Sequence, residues 1–224
     1  METRNIQFMV DTNILIDLHN YNKSPTEFCN STNEKHFCEI KALANLLDED
    51  MNKGRDSEIK LIIPQRVMGE LMSGFSSFGG EIFNIVRRYD ITLASEMEKD
   101  KSEFKLLHWL LRGTNMNYPQ FNVDLFDDEN DNDCKIICSA IMRNLPILTS
   151  NIKHFAGENN SIQNEILNRL DVCSNNNYVK KNFDLQYDKY KAYSISSFLE
   201  ELYPDKYAVM NNELKQMRNK GGRD

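Results

Sequence analysis

Continuous apolar runs alternate along the chain with segments whose apolar residues recur every three or four positions. Ile6–Val10, Lys60–Ile63 and the shorter Pro146–Thr149 have the pattern of strands buried on both faces, with Ile91–Leu93 a weaker example. Helical spacing marks Thr12–Leu18, Glu34–Asn52 (Phe37, Ile40, Leu43, Ala44, Leu47), Glu81–Tyr89 and Glu98–Arg112 (Phe104, Leu107, Leu110, Leu111). It continues in Asp131–Asn144 and Ser161–Leu170. Pro64 suits the first turn of a helix through Gln65–Ser73, and Ser194–Tyr203 reads as a short terminal helix behind a serine cap. Residues 20–33, rich in Asn, Ser and Thr, read as an irregular loop, and 115–128 as a polar one. The charged tail from Lys206 reads as a fraying end, and 178–193 carries no clear pattern.

Strands that alternate with helices predict an α/β fold around a parallel sheet with helices on both faces. Nothing in the sequence reads as a linker. The expectation is therefore one domain over 1–224, with a helical insertion around 75–128 and a C-terminal extension after 156.

Composition narrows the class. Hydrophobic residues make up 40% and aromatics 10%, which suits a globular chain. No apolar run approaches the length of a membrane span, and no signal-peptide core precedes the first strand, so a cytoplasmic protein with no membrane partner is expected. Five cysteines form no dense framework, which fits a reducing compartment; Cys134 and Cys138 read as small core residues. Cys29, His36 and Cys38 lack a fourth ligand and a regular spacing, which argues against a zinc site. Trp109 reads as a core residue of its amphipathic helix. The net charge of −7 argues against a general electrostatic grip on nucleic acid, although local basic patches remain compatible with it.

Candidate chemistry begins where the first apolar run ends, at Val10-Asp11-Thr12-Asn13. Ligands of open α/β sheets bind at the carboxyl ends of strands, and a carboxylate mounted there suits a hard divalent cation. Three further segments follow the same logic. Ile63-Pro64 through Val67 leads to Glu70-Leu71, where Glu70 sits beside the apolar stripe of its helix. Asp131-Asn132-Asp133 opens a helix that continues through Ile136 and Ala140. Leu148-Thr149-Ser150-Asn151-Ile152-Lys153-His154-Phe155 follows a strand. Each has a plainer reading taken alone: Asp11 as a helix cap, Glu70 as a solvated helix residue, Asp131 and Asp133 as cap and helix-dipole charges, Asn151 as a cap or turn residue. The six acids of Asp124–Asp133, with no base among them, read as a solvated loop.

In this order the four blocks resemble the PIN-domain ribonuclease family, and are close in motif order and local spacing to its bacterial toxin–antitoxin members. The resemblance covers short blocks within the first 155 residues. It implies a PIN-like three-layer fold and a metal-dependent endoribonuclease that hydrolyses RNA phosphodiester bonds. Asp11, Glu70 and Asp133 would be the catalytic acids, and with Asp131 would hold Mg2+ or Mn2+. Asn13, Thr149 and Asn151 would position water or the ligating carboxylates. RNA, single-stranded or structured, is the implied substrate; a toxin role, an antitoxin or other protein partner, and a homodimer are implied with it. Lys135, Arg66 or Lys153 could contact phosphate. The chain departs from the family in carrying Asn151 where many members have a fourth aspartate, His154 where an acid is common, and a longer chain than a minimal toxin. The alternatives left open are a weakly active or inactive PIN-fold RNA-binding subunit and a DNA nuclease of related fold. A phosphatase using Asp11 as nucleophile is disfavoured, since such enzymes often need an aspartate where this chain has Asn13.

Overall fold

In a computed structural model, the described residues are 6–64, 67–69, 71, 79–94, 102–112, 126, 131–175 and 190–221. Five strands, β1 (Ile6–Val10), β2 (Ile59–Ile63), β3 (Thr92–Leu93), β4 (Ile147–Leu148) and β5 (Ala192–Tyr193), form one sheet in the order β3-β2-β1-β4-β5. Every pairing is parallel, with Met9 opposite both Ile62 and Ile147. Helices flank the sheet, as the alternation of patterns predicts. The last three residues of β1 and of β2 are buried, which is why each strand ends in an apolar run, Phe8-Met9-Val10 and Leu61-Ile62-Ile63, behind the polar Gln7 and Lys60. The chain builds outward from β1 to β2 and β3, then returns to lay β4 on the other side of β1. That reversal makes the carboxyl ends of β1 and β4 the switch point of the sheet, the place where open α/β sheets form a crevice.

The helices are α1 (Thr12–Lys23), α2 (Pro25–Ser31), α3 (Glu34–Met51), α4 (Gly79–Arg88), α5 (Ser102–Arg112) and α6 (Asp131–Met142), then α7 (Ile152–Phe155), α8 (Ser161–Ser174), α9 (Ile195–Leu202) and α10 (Pro204–Gly221). The expected loop at 20–33 is a correction: it is the end of α1 and all of α2. Ser24 accepts from the Glu27 amide at 3.4 Å with Pro25 at the first helical position, and Asn33 accepts from the His36 amide at 2.9 Å to start α3. The fraying tail is a second correction. Residues from Pro204 form α10, which packs along α3 and α9, with Lys206 paired to Glu49, Lys41 to Glu213, and the Cys38 thiol 3.6 Å from Met217 Sδ. Ser194 does cap α9, accepting from the Ser197 amide at 3.1 Å, but α9 is not the terminal helix. Trp109 is 43% exposed, which corrects the core assignment. It lies two residues from Leu107, hence on the opposite side of α5 from the buried Phe104, Leu107 and Leu111. Most of the expected loop at 115–128, much of the expected insertion, most of the helix expected at 65–73 and the start of the Glu98–Arg112 helix lie outside the described residues.

Two polar clusters set how the helices meet the sheet. Asp50, buried at the end of α3, accepts from the amides of Glu58 and Ile59, the Ser57 hydroxyl at 2.7 Å and the Lys53 ammonium, and so pins the chain as it enters β2. Burial alone would raise its pKa, but these donors outweigh it and hold the carboxyl below its ordinary value.

The other cluster joins α1, α3 and α9. His36 Nε2 lies 3.0 Å from Asp17 Oδ2, its Nδ1 lies 3.9 Å from Glu39 Oε2, and the Ser196 hydroxyl donates to Glu39. The hydrogen bond to Asp17 first, and then the nearby Glu39 carboxylate, push the imidazole up to about 9, against the opposing effect of burial. A folded-state pKa above the unfolded value stabilises fully below about 6.5 and is lost as pH rises through about 9. Thermal melts of the parent should therefore fall between pH 7 and 9.5. His36→Ala should be less stable at pH 6.5 by about 1–2 kcal/mol, allowing for solvent screening, and should lose that pH dependence. A melt profile of the variant parallel to the parent's would refute this account.

Candidate active site

The crevice at the ends of β1 and β4 is lined by acids from two directions. β1 delivers Asp11, whose amide donates to the Leu148 carbonyl at 3.2 Å and so continues the ladder to β4. The Asp11 side chain is buried, at 3% exposure, and stands at the N-cap position of α1 without the usual capping bond, although the adjacent Thr12 amide helps to hold its charge. Its Oδ2 instead accepts from Asn13 Nδ2 at 3.2 Å and from Thr149 Oγ1 at 2.9 Å. Thr149 is itself oriented: its hydroxyl oxygen accepts from the Asn151 amide at 2.9 Å, which leaves the proton for Asp11. Three residues singled out in the sequence, Asn13, Thr149 and Asn151, thus converge on Asp11, the last through its backbone. Asn151 stands at the N-cap position of α7 without a side-chain capping bond, so the cap reading of that side chain does not hold.

Asp133, in the first turn of α6, lies near enough for its charge to act on Asp11. Burial raises the Asp11 pKa most, the charge of Asp133 raises it further, and the bonds from Thr149, Asn13 and the Thr12 amide only partly counter this. Asp133 Oδ2 is held at 3.0 Å by His154 Nδ1 from α7. Below them, Tyr190 is buried and donates its hydroxyl to the Phe155 carbonyl at 2.9 Å, at the last residue of α7. Burial first, and then the negative charge of Asp133, push that phenol well above its ordinary value, so it stays a neutral donor.

Glu70 and Arg66 lie outside the described residues, and Asp131 is described only as the first residue of α6. Among the described residues no three His, Cys, Asp or Glu side chains form a group that could hold a metal; the site as described has two acids, Asp11 and Asp133. Lys153, a candidate phosphate contact, pairs with Glu158 at 3.4 Å on the open surface. The His154–Asp133 bond was not legible in the sequence, because the partners are 21 positions apart. Its only trace is the placement of His154 in a short helix directly after a strand end.

A buried carboxylate with a raised pKa, close to a second acid and held on one oxygen by neutral donors, is chemically fitted to receive a cation. Each donor stabilises the ionised form, and a cation would cancel the repulsion that now opposes it. No helix among the described residues is long and apolar enough to cross a membrane. No protein-family model, curated protein or solved structure matches the chain.

Proposed function

We propose that the chain is a metal-dependent endoribonuclease of the PIN type, acting in the cytoplasm on RNA. The observation that carries this reading is the pairing of Asp11 and Asp133 at the switch point of a parallel sheet, with the charge of one raising the pKa of the other. The motif order adds Glu70 as a third acid and Asp131 as a fourth. These residues would hold Mg2+ or Mn2+, which prefer carboxylate oxygens.

The residues themselves divide the work. Thr149 and Asn13 fix Asp11 by Oδ2, so the carboxylate cannot swing away from the crevice. The Asn151 amide sets the direction of the Thr149 hydroxyl. The apolar walls behind Asp11, with Val10, Ile14 and Leu148 all buried, keep the local dielectric low and make each charge count for more. A bound divalent cation would supply Lewis-acid stabilisation of the charge that develops on the phosphodiester.

Incubation of the purified protein with labelled RNA and DNA, in magnesium, manganese or EDTA, tests the proposal. Cleavage of RNA within the chain, dependent on metal and abolished by EDTA, is the expected result. Cleavage that survives EDTA, or no cleavage with either metal, would overturn it. Equal cutting of DNA would move the substrate class to nucleic acid in general.

A further inference from the structure

Both acids of the crevice are gripped by one short stretch of chain. Thr149, at the end of β4, holds Asp11 Oδ2 at 2.9 Å, and His154, five residues on, holds Asp133 Oδ2 at 3.0 Å. We propose that His154 is a positioning residue for the cation site, fixing the Asp133 carboxylate so that its other oxygen faces the same space as Asp11. This rests on the reading of Asp11 and Asp133 as cation ligands.

The geometry favours a dedicated role over a chance surface pair. The ring has no other partner among the described residues, and its Nδ1 can donate to Asp133 from the Nδ1–H tautomer of the neutral ring as well as from the charged one. The backbone that carries it is fixed on both sides. The His154 amide donates to the Asn151 carbonyl at 3.1 Å, and the Phe155 carbonyl is held by the buried Tyr190. Asp133 Oδ1 takes no hydrogen bond among the described residues. The ring side chain is 50% exposed and that of Asp133 21%, so as an ion pair alone the contact would add little to stability. Donors that orient a ligating carboxylate typically change metal affinity 10- to 100-fold when removed. A role in positioning and a role in stability therefore separate in measurement.

The test is calorimetric titration of the metal-free full chain with manganese, beside thermal melts in EDTA, for the parent, His154→Ala and His154→Asn. The Asn side-chain amide can occupy the place of Nδ1. The expected result is roughly 10- to 100-fold weaker manganese binding by His154→Ala with a nearly unchanged melt, and recovery of most of that loss in His154→Asn. Manganese binding by the alanine variant equal to or tighter than the parent's would overturn the inference, as would failure of the asparagine variant to bind better than the alanine one. Should His154→Ala fail to fold, the melt itself assigns the residue to stability and the inference falls. A parent that binds no manganese defeats the cation reading itself, which distinguishes that failure from failure of the role given to His154.

Discussion

Asp11→Asn is expected to lower RNA cleavage by roughly 10²- to 10³-fold, the scale on which removal of one preorganised electrostatic group acts. The same change should make the metal-free protein more stable. Asp11 has a pKa raised above that of the unfolded chain, so its ionised form is disfavoured by folding at every pH above the folded value. An amide of the same shape removes that opposition and can still accept from Thr149 through its carbonyl oxygen. A rise of roughly 2–4 °C in Tm, the shift that about 1 kcal/mol gives in a chain of this size, should appear in EDTA at pH 7 and vanish at acid pH, where the parent carboxyl is protonated. Loss of activity together with a lower Tm would mean that Asp11 serves the fold, and undiminished cleavage would remove it from the chemistry.

The largest loss of stability is expected from Arg169→Ala. Arg169, on α8, is 2% exposed, and its guanidinium donates to the carbonyls of Leu110 and Leu111 at 3.1 and 3.2 Å and to Glu165 at 2.8 Å. The two carbonyls belong to the last turn of α5, where a helix has no amides of its own left to satisfy them. Truncation leaves them bare, leaves Glu165 without this partner and opens a void. The cost should be about 3 kcal/mol, a fall of roughly 6–12 °C in Tm. Arg169→Lys should recover only part of this, because an ammonium cannot span both carbonyls and the carboxylate as a planar fork does. Chemical denaturation of the three proteins in parallel checks both statements. A loss below about 1 kcal/mol for the alanine variant would show that water replaces the guanidinium at the helix end.

What the sequence disclosed depended on how locally each element is determined. β1 and β2 are legible because the last three residues of each are buried whichever face they point to and so are all apolar, and the acid at the end of β1 is legible because the run stops there. The helices between residues 12 and 31 are hard to read past Leu18 because polar residues dominate; the informative signals are single caps, Ser24 before Pro25 and Asn33 before Glu34, rather than periodicity. The helix Pro204–Gly221 was illegible for a different reason. Its ion pairs and its Met217 contact are with α3, more than 150 positions away, and a mixed-charge segment states nothing about a distant partner. The site divides in the same way. Asp11, Thr149 and Asn13 follow from strand ends, whereas the grip of His154 on Asp133 needs the turn after β4 to bring α7 beside α6.

The placement of β4 beside β1 also has a consequence in time. The central strand gains its second neighbour only when residues 138 positions later arrive, and the Thr149–Asp11 bond spans the same separation. Closing so long a loop is entropically slow, and contacts of this range dominate the folding barrier. During synthesis at about 5–20 residues per second, β1 and β2 would wait several seconds or more before the crevice could exist. A nascent chain therefore carries Asp11 without the hydroxyl that orients it. Whatever chemistry the finished crevice performs begins abruptly, when the return strand docks, and not gradually as the chain lengthens.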